Sequence, residues 1–186
     1  ATVTTYNPHH GTYHGRFRSD GDGGWEYAYC NAVINEEEVY VRGYFYIASG
    51  LPLSDNGDLF YLLRLRGGSQ TVAIAGIRRD NGVDKWVIYG RRGSSYVGIP
   101  YASSPTIQTG RWYCVELHWR KHTSQGLVEL YVDGDKILEI TGIDTTYFNN
   151  ADEINIGLIS ATNIQQSLIV YGDCFVLSDT YIGPES

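Results

Sequence analysis

The sequence predicts an all-β fold, a two-sheet antiparallel β-sandwich (jelly roll), as a single domain over residues 1–186. Three observations predict it. Apolar and polar residues alternate with a period of two along most apolar segments, the pattern of strands with one buried face. The 22 Gly concentrate, with Asp, Asn and Ser, in short pieces between those segments, the rhythm of hairpins. No stretch of useful length carries the apolar spacing of an amphipathic helix. Roughly ten short strands in one domain require two sheets packed face to face.

In chain order the strands fall at Thr12–Arg18, Trp25–Ile34, Glu38–Ala48, Leu59–Arg66, Thr71–Arg78 and Lys85–Arg91, then Arg111–His122, Leu127–Val132, Lys136–Ile140, Glu153–Ser160 and Ser167–Leu177. The turns between them are SDGDGG (Ser19–Gly24), SDNGD (Ser54–Asp58), RGGS (Arg66–Ser69), RDNGVD (Arg79–Asp84) and RRGSS (Arg91–Ser95). The clearest signal is Gly110–Ile140. Val115, Leu117 and Trp119 alternate with Glu116, His118 and Arg120, and Val128, Leu130 and Val132 with Glu129, Tyr131 and Asp133. The six apolar residues are core, and Asp133-Gly134 suits the φ > 0 positions of a tight hairpin. The longest irregular piece is Gly93–Thr109. It reads either as a functional loop or as a plain crossover between sheets.

Composition narrows the function classes. Hydrophobic residues at 42% and charged residues at 19% make the chain globular rather than disordered. A net charge of −7 gives no overall attraction to nucleic acid or anionic membrane. No apolar run approaches the roughly 20 residues of a membrane span, so membrane insertion is not expected. The start, ATVTTYNPHH, has neither the basic nor the apolar region of a signal peptide, and with no Met the sequence reads as a mature form or an excised piece. Three cysteines, Cys30, Cys114 and Cys174, allow at most one internal disulfide and match no zinc spacing. Sixteen Tyr against five Phe is the stronger oddity, since Tyr suits half-exposed sheets, sugar stacking and interfaces.

The pattern Gly-x-Trp-Tyr-x-Val-Glu-Leu, a polar loop, then Gly-x-Val-x-Leu-Tyr-Val-Asp-Gly resembles the concanavalin A-like, laminin G-like jelly-roll superfamily. Asn7–Phe17 and Leu168–Gly183 resemble its early His-Gly-Tyr strand and its closing strand. The resemblance implies an extracellular location, glycan partners and a structural calcium ion, with Asp173 as a ligand. The SDGDGG loop is the other calcium candidate. The first strand expected of such a domain is missing, which would leave a sheet edge open. The β-prone segment Ala1–Tyr6 then reads as a strand given to a neighbouring chain, and so as a route to a homo-oligomer or polymer.

If relatives bind glycans on one sheet face, outward positions of central strands are the candidates: Arg42, Tyr44 and Tyr46; Arg64 and Arg66; Tyr89 and Arg91; Glu116 and His118. Sharing a face, they would form a basic, Tyr-rich groove suited to an acidic polysaccharide. The plainer alternative is a solvated face laced with cross-strand pairs. Catalysis is the weaker reading. His118 with Tyr44 or Tyr89 and Arg64 can be cast as a lyase, yet the lyase and glucanase motifs are absent. His9 and His10, adjacent on an extended chain, should point apart and make a poor ligand pair. The sequence therefore predicts an extracellular carbohydrate-binding or adhesion module. A self-associating structural subunit of an extracellular or viral assembly is second and a polysaccharide lyase third.

Overall fold

The computed structural model describes residues 1–97 and 100–185. Gly98 and Ile99, inside the long predicted loop, and Ser186 lie outside the described residues. The elements are β1 (Thr2–Thr4), β2 (His14–Ser19), β3 (Glu26–Glu36), β4 (Glu38–Ser49), β5 (Leu59–Gly67), β6 (Gln70–Asp80) and β7 (Val83–Arg92). They continue with β8 (Ser95–Val97), β9 (Tyr101–Ala102), β10 (Trp112–Arg120), β11 (Gly126–Val132), β12 (Asp135–Ile143), β13 (Ala151–Thr162) and β14 (Leu168–Ser178).

These strands form two antiparallel sheets of seven. One runs β1-β2-β14-β4-β10-β11-β12; the other runs β3-β13-β5-β6-β7-β8, with β9 also on β7. All eleven strands read from the sequence are present. β8 and β9 are additional, each too short to show a periodicity, and β1 falls within the β-prone segment Ala1–Tyr6. The hairpin turns take the backbone their residues favour: Asn81 and Gly82 at φ 50° and 76°, Asp133 and Gly134 at φ 54° and 94°.

The core lies between the sheets. From the first come Val39, Val41, Phe45 and Ile47 of β4, with Val115, Leu117 and Trp119 of β10 and Val128, Leu130 and Val132 of β11. Those β10 and β11 residues face one another in register, Leu117 opposite Leu130 and Trp119 opposite Val128. The facing sheet supplies Phe60, Leu63, Leu65, Ile77, Trp86 and Ile88.

One expectation is corrected. The N-terminal segment pairs within its own chain, Thr2 opposite Arg16 and Thr4 opposite His14, so β1 occupies the sheet edge that the sequence left open. Two extended strands from one chain pay no association entropy, which favours pairing in cis once Asn7, at φ 52°, reverses the chain. The three cysteines are unpaired.

His14 on β2 is buried, edge-on to Trp112 and Tyr171, and among the described residues neither ring nitrogen has a hydrogen-bond partner. Burial lowers its pKa below the ordinary 6.5, against the pull of Asp173. The unfolded chain therefore takes up this proton first as pH falls. Stability is complete above about pH 6.5 and declines below it, by at most about 1.4 kcal/mol per pH unit for this group. Urea unfolding at a series of pH values should show that slope, and His14→Phe should flatten it.

Candidate functional site

The predicted ligand residues divide between the two sheets. Arg42, Tyr44, Tyr46, Glu116 and His118 stand on the outer face of the β4–β10 sheet, whereas Arg64, Arg66, Tyr89 and Arg91 stand on the outer face of the other. The single groove that would use all nine does not form, because alternation fixes the face of a strand but not the sheet it joins.

On the β4–β10 face the polar side chains are consumed internally. Residues 179–185 run back across it as a tail. Glu116 is 1% exposed and accepts the Ile182 and Gly183 amides, each at 2.9 Å. Arg42, opposite Glu116 in register, donates to the Gly183 carbonyl at 3.1 Å and to Glu185 at 2.9 Å. The Tyr44 hydroxyl accepts the Glu185 amide at 2.7 Å.

His118 is buried, stacked on Tyr40, with its ring nitrogens 2.7 Å from Glu129 and 2.9 Å from Glu38. Burial alone would raise the Glu129 pKa, but hydrogen bonds from His118, Lys136 and Tyr131 outweigh it and hold the carboxyl below its ordinary value. Tyr46 packs against Trp112 and Tyr171. These residues form a ladder of side chains bonded to one another and to the tail. The lyase constellation is also divided, with His118 and Tyr44 on one sheet and Tyr89 and Arg64 on the other.

The outer face of the second sheet is different. A groove of about 500 Å³ opens there, walled by Trp25, Tyr27, Tyr61, Tyr89 and Tyr96 around Arg64, with Leu59 and Ile74 as its apolar floor. That volume and lining suit a small-molecule or glycan subsite. Tyr61, Tyr89 and Tyr96 form a chain of edge-on contacts with centroids 5.7 and 6.2 Å apart. Trp25 and Tyr27 are 71% and 51% exposed, so their rings are available to stack.

Arg64 is held by one bond, Nε to Asn155 Oδ1 at 2.6 Å, and its guanidinium lies 5.5 Å from the Tyr29 ring centroid. Among the described residues its two terminal nitrogens have no hydrogen-bond partner, which leaves the fork open to a ligand. Arg66 and Arg91 flank the groove without lining it. Arg66 faces Glu153 at 3.3 Å, and Arg91 caps the Thr71 carbonyl and covers the Tyr96 ring at 4.0 Å. Burial raises the Tyr61 pKa, so its phenol stays protonated and is a poor base. No carboxylate or histidine is among the described lining residues.

The sequence reading missed Trp25, Tyr27, Tyr61 and Tyr96. A signal existed for the first two in the alternating aromatics Trp25-x-Tyr27-x-Tyr29. Tyr61 was hidden by a bulge between Tyr61 and Leu63, which brings Tyr61 onto the face of Arg64 although they are three residues apart.

Asp173 accepts the amides of His9 and His10 at 3.0 and 3.1 Å and that of Cys174 at 2.8 Å. Its carboxylate thus organises backbone. In the Ser19–Gly24 turn, Asp20 and Asp22 approach Glu26 as a mostly exposed oxygen cluster.

No protein-family model and no curated protein sequence matches the chain. Solved structures do match in fold. A cellulose-induced protein, Cip1, aligns over 99% of this chain and 87% of its own, with a TM-score of 0.67 and 15% identity. The alginate lyase vAL-1 from Chlorella virus aligns over 95% and 87%, with a TM-score of 0.64 and 13% identity. A botulinum neurotoxin type C structure, described as depending on two ganglioside molecules for cell entry, aligns over 97% of this chain and 42% of its own, with a TM-score of 0.64 and 12% identity. Together with the two-sheet topology, these likenesses give this chain the concanavalin A-like jelly-roll fold.

Proposed function

We propose that the protein is an extracellular carbohydrate-binding module that seats an acidic polysaccharide in the aromatic groove of the β3–β8 sheet. The observation that carries this reading is the open guanidinium fork of Arg64 between exposed aromatic walls. A sugar ring stacks on Trp25 or Tyr27 while a uronate carboxylate meets Arg64 in bidentate fashion. The fold neighbours lend support through what their names say of them: one is an alginate lyase and another interacts with gangliosides. The groove offers recognition groups without a general base, which favours binding over cleavage.

Calorimetric titration with oligouronates and with neutral oligosaccharides of equal length tests this. The oligouronate should bind more tightly. Trp25→Ala should weaken binding about 10-fold, the equivalent of one aromatic stacking contact of about 1.4 kcal/mol. Arg64→Leu should remove the preference for the acidic chain. Equal affinity of wild-type protein for neutral and acidic oligosaccharides would reject the uronate assignment. Undiminished binding by Trp25→Ala would reject the groove. Unsaturated product accumulating in the same samples would replace binding with lyase activity.

A further inference from the structure

We propose that His9, His10, Cys174 and Glu185 form a structural site for a zinc-class divalent ion that staples the N-terminal turn to the C-terminal tail. One donor atom from each of the four lies within 4.8 Å of the others. Cys174 Sγ is 3.8 Å from His9 Nδ1, which is 3.8 Å from Glu185 Oε2, and His10 Nδ1 is 2.7 Å from that same oxygen. Donors around a tetrahedral zinc ion, with bonds of about 2.0–2.3 Å, sit about 3.3–3.8 Å apart, so adjustments of about 1.5 Å or less complete the shell.

A second observation points into the same space. Among the described residues, Glu185 Oε2 is buried and makes no hydrogen bond, although two imidazole nitrogens face it. Arg42 meets the other oxygen, Oε1, at 2.9 Å, so Oε2 alone is left buried and open to a further partner beside the imidazole nitrogens and the thiol. Two neutral imidazoles, a thiolate and a carboxylate carry a charge of −2; Arg42 on Glu185 and the nearby Asp173 carboxylate offset one another, so a divalent ion balances the cluster. Binding breaks the Cys174 S–H bond and releases its proton to solvent while the metal–sulfur bond forms. Imidazole and thiolate donors select a borderline-soft ion over calcium. Four protein ligands leave no open position, as in structural rather than catalytic zinc sites.

The local backbone explains how adjacent histidines come to share a target. Asn7 at φ 52° and Cys174 at φ 53° both hold left-handed conformations, and the Asp173 carboxylate clamps the His9 and His10 amides. The two rings consequently sit 4.7 Å apart instead of on opposite sides, with His9 stacked at 3.7 Å on Tyr44. Asp173 is here a positioning residue.

The test uses the full chain carrying Cys30→Ser, which removes the exposed thiol, after stripping with a chelator. Cobalt(II) titration should saturate at one ion per chain, with a thiolate-to-cobalt charge-transfer band and tetrahedral visible bands that zinc bleaches. Cys174→Ser should lose the charge-transfer band, and His10→Ala, on a ring largely in solvent, should weaken cobalt binding by about 100-fold or more with the fold intact. Asp173→Asn should weaken it about 10–100-fold while keeping the band. Absence of saturable binding, a band that survives Cys174→Ser, unchanged affinity in His10→Ala, or displacement of cobalt by excess calcium would each overturn the assignment.

Discussion

Replacing Arg42 with alanine will cost the fold about 3–5 kcal/mol, the range for removing one partner from a buried charge network. In a domain of this size that lowers the melting temperature by roughly 6–20 °C. The side chain is 4% exposed, and it is the shared donor for the Gly183 carbonyl, the Cys174 carbonyl and Glu185. Its loss leaves the Gly183 and Cys174 carbonyls without that donor and the buried Glu116 carboxylate opposite it without a positive neighbour. A surface ion pair would cost less than about 1 kcal/mol, so a change that small would show the tail to be loosely laid rather than locked. Hydrogen exchange supplies the local readout. The Ile182 and Gly183 amides, bonded to Glu116, should lose protection first. Glycan affinity in the opposite groove should be unchanged, which separates this latch from the binding site.

The contrast between latch and groove shows what the sequence could convey. Period-two alternation identified Val115, Leu117, Trp119, Val128, Leu130 and Val132 as core, and all six are buried. It could do so because one face of every β10 and β11 residue pair must be dry. Alternation carries no information about which sheet a strand enters, since that depends on partners distant in sequence, such as β14 beside β4 and β13 beside β5. Arg42 and Arg64 therefore looked like members of one face while lying on opposite surfaces of the sandwich. The tail over Glu116 was illegible for a related reason: residues 179–185 have no periodicity, and their amides are claimed by a carboxylate more than sixty positions away. Tyr61 was lost to a bulge, which resets parity without leaving a mark in the sequence.

Trp86→Ala is expected to destabilise the fold by about 3–5 kcal/mol, through a cavity rather than a charge, as large aromatic truncations in cores do. Trp86 is 0% exposed on β7, and its ring meets Tyr113 of β10 edge-on, with centroids 5.4 Å apart, so the pair spans the space between the sheets. Both rings also hold the crossover that joins β7 to β10. Trp86 Nε1 donates to the Pro105 carbonyl at 2.9 Å; the Tyr113 hydroxyl donates to the Thr106 carbonyl at 3.1 Å and accepts the Gln108 amide at 2.7 Å. Removing the indole thus opens a void and orphans a carbonyl at once. Tyr113→Phe keeps the ring and loses only its hydrogen bonds, for about 1–2 kcal/mol. Denaturant unfolding of both single variants and the double variant measures the coupling, and exchange at Gln108 reports the loop. A Trp86→Ala cost no greater than that of Tyr113→Phe would mean that the crossover, not the aromatic pair, sets the spacing of the two sheets.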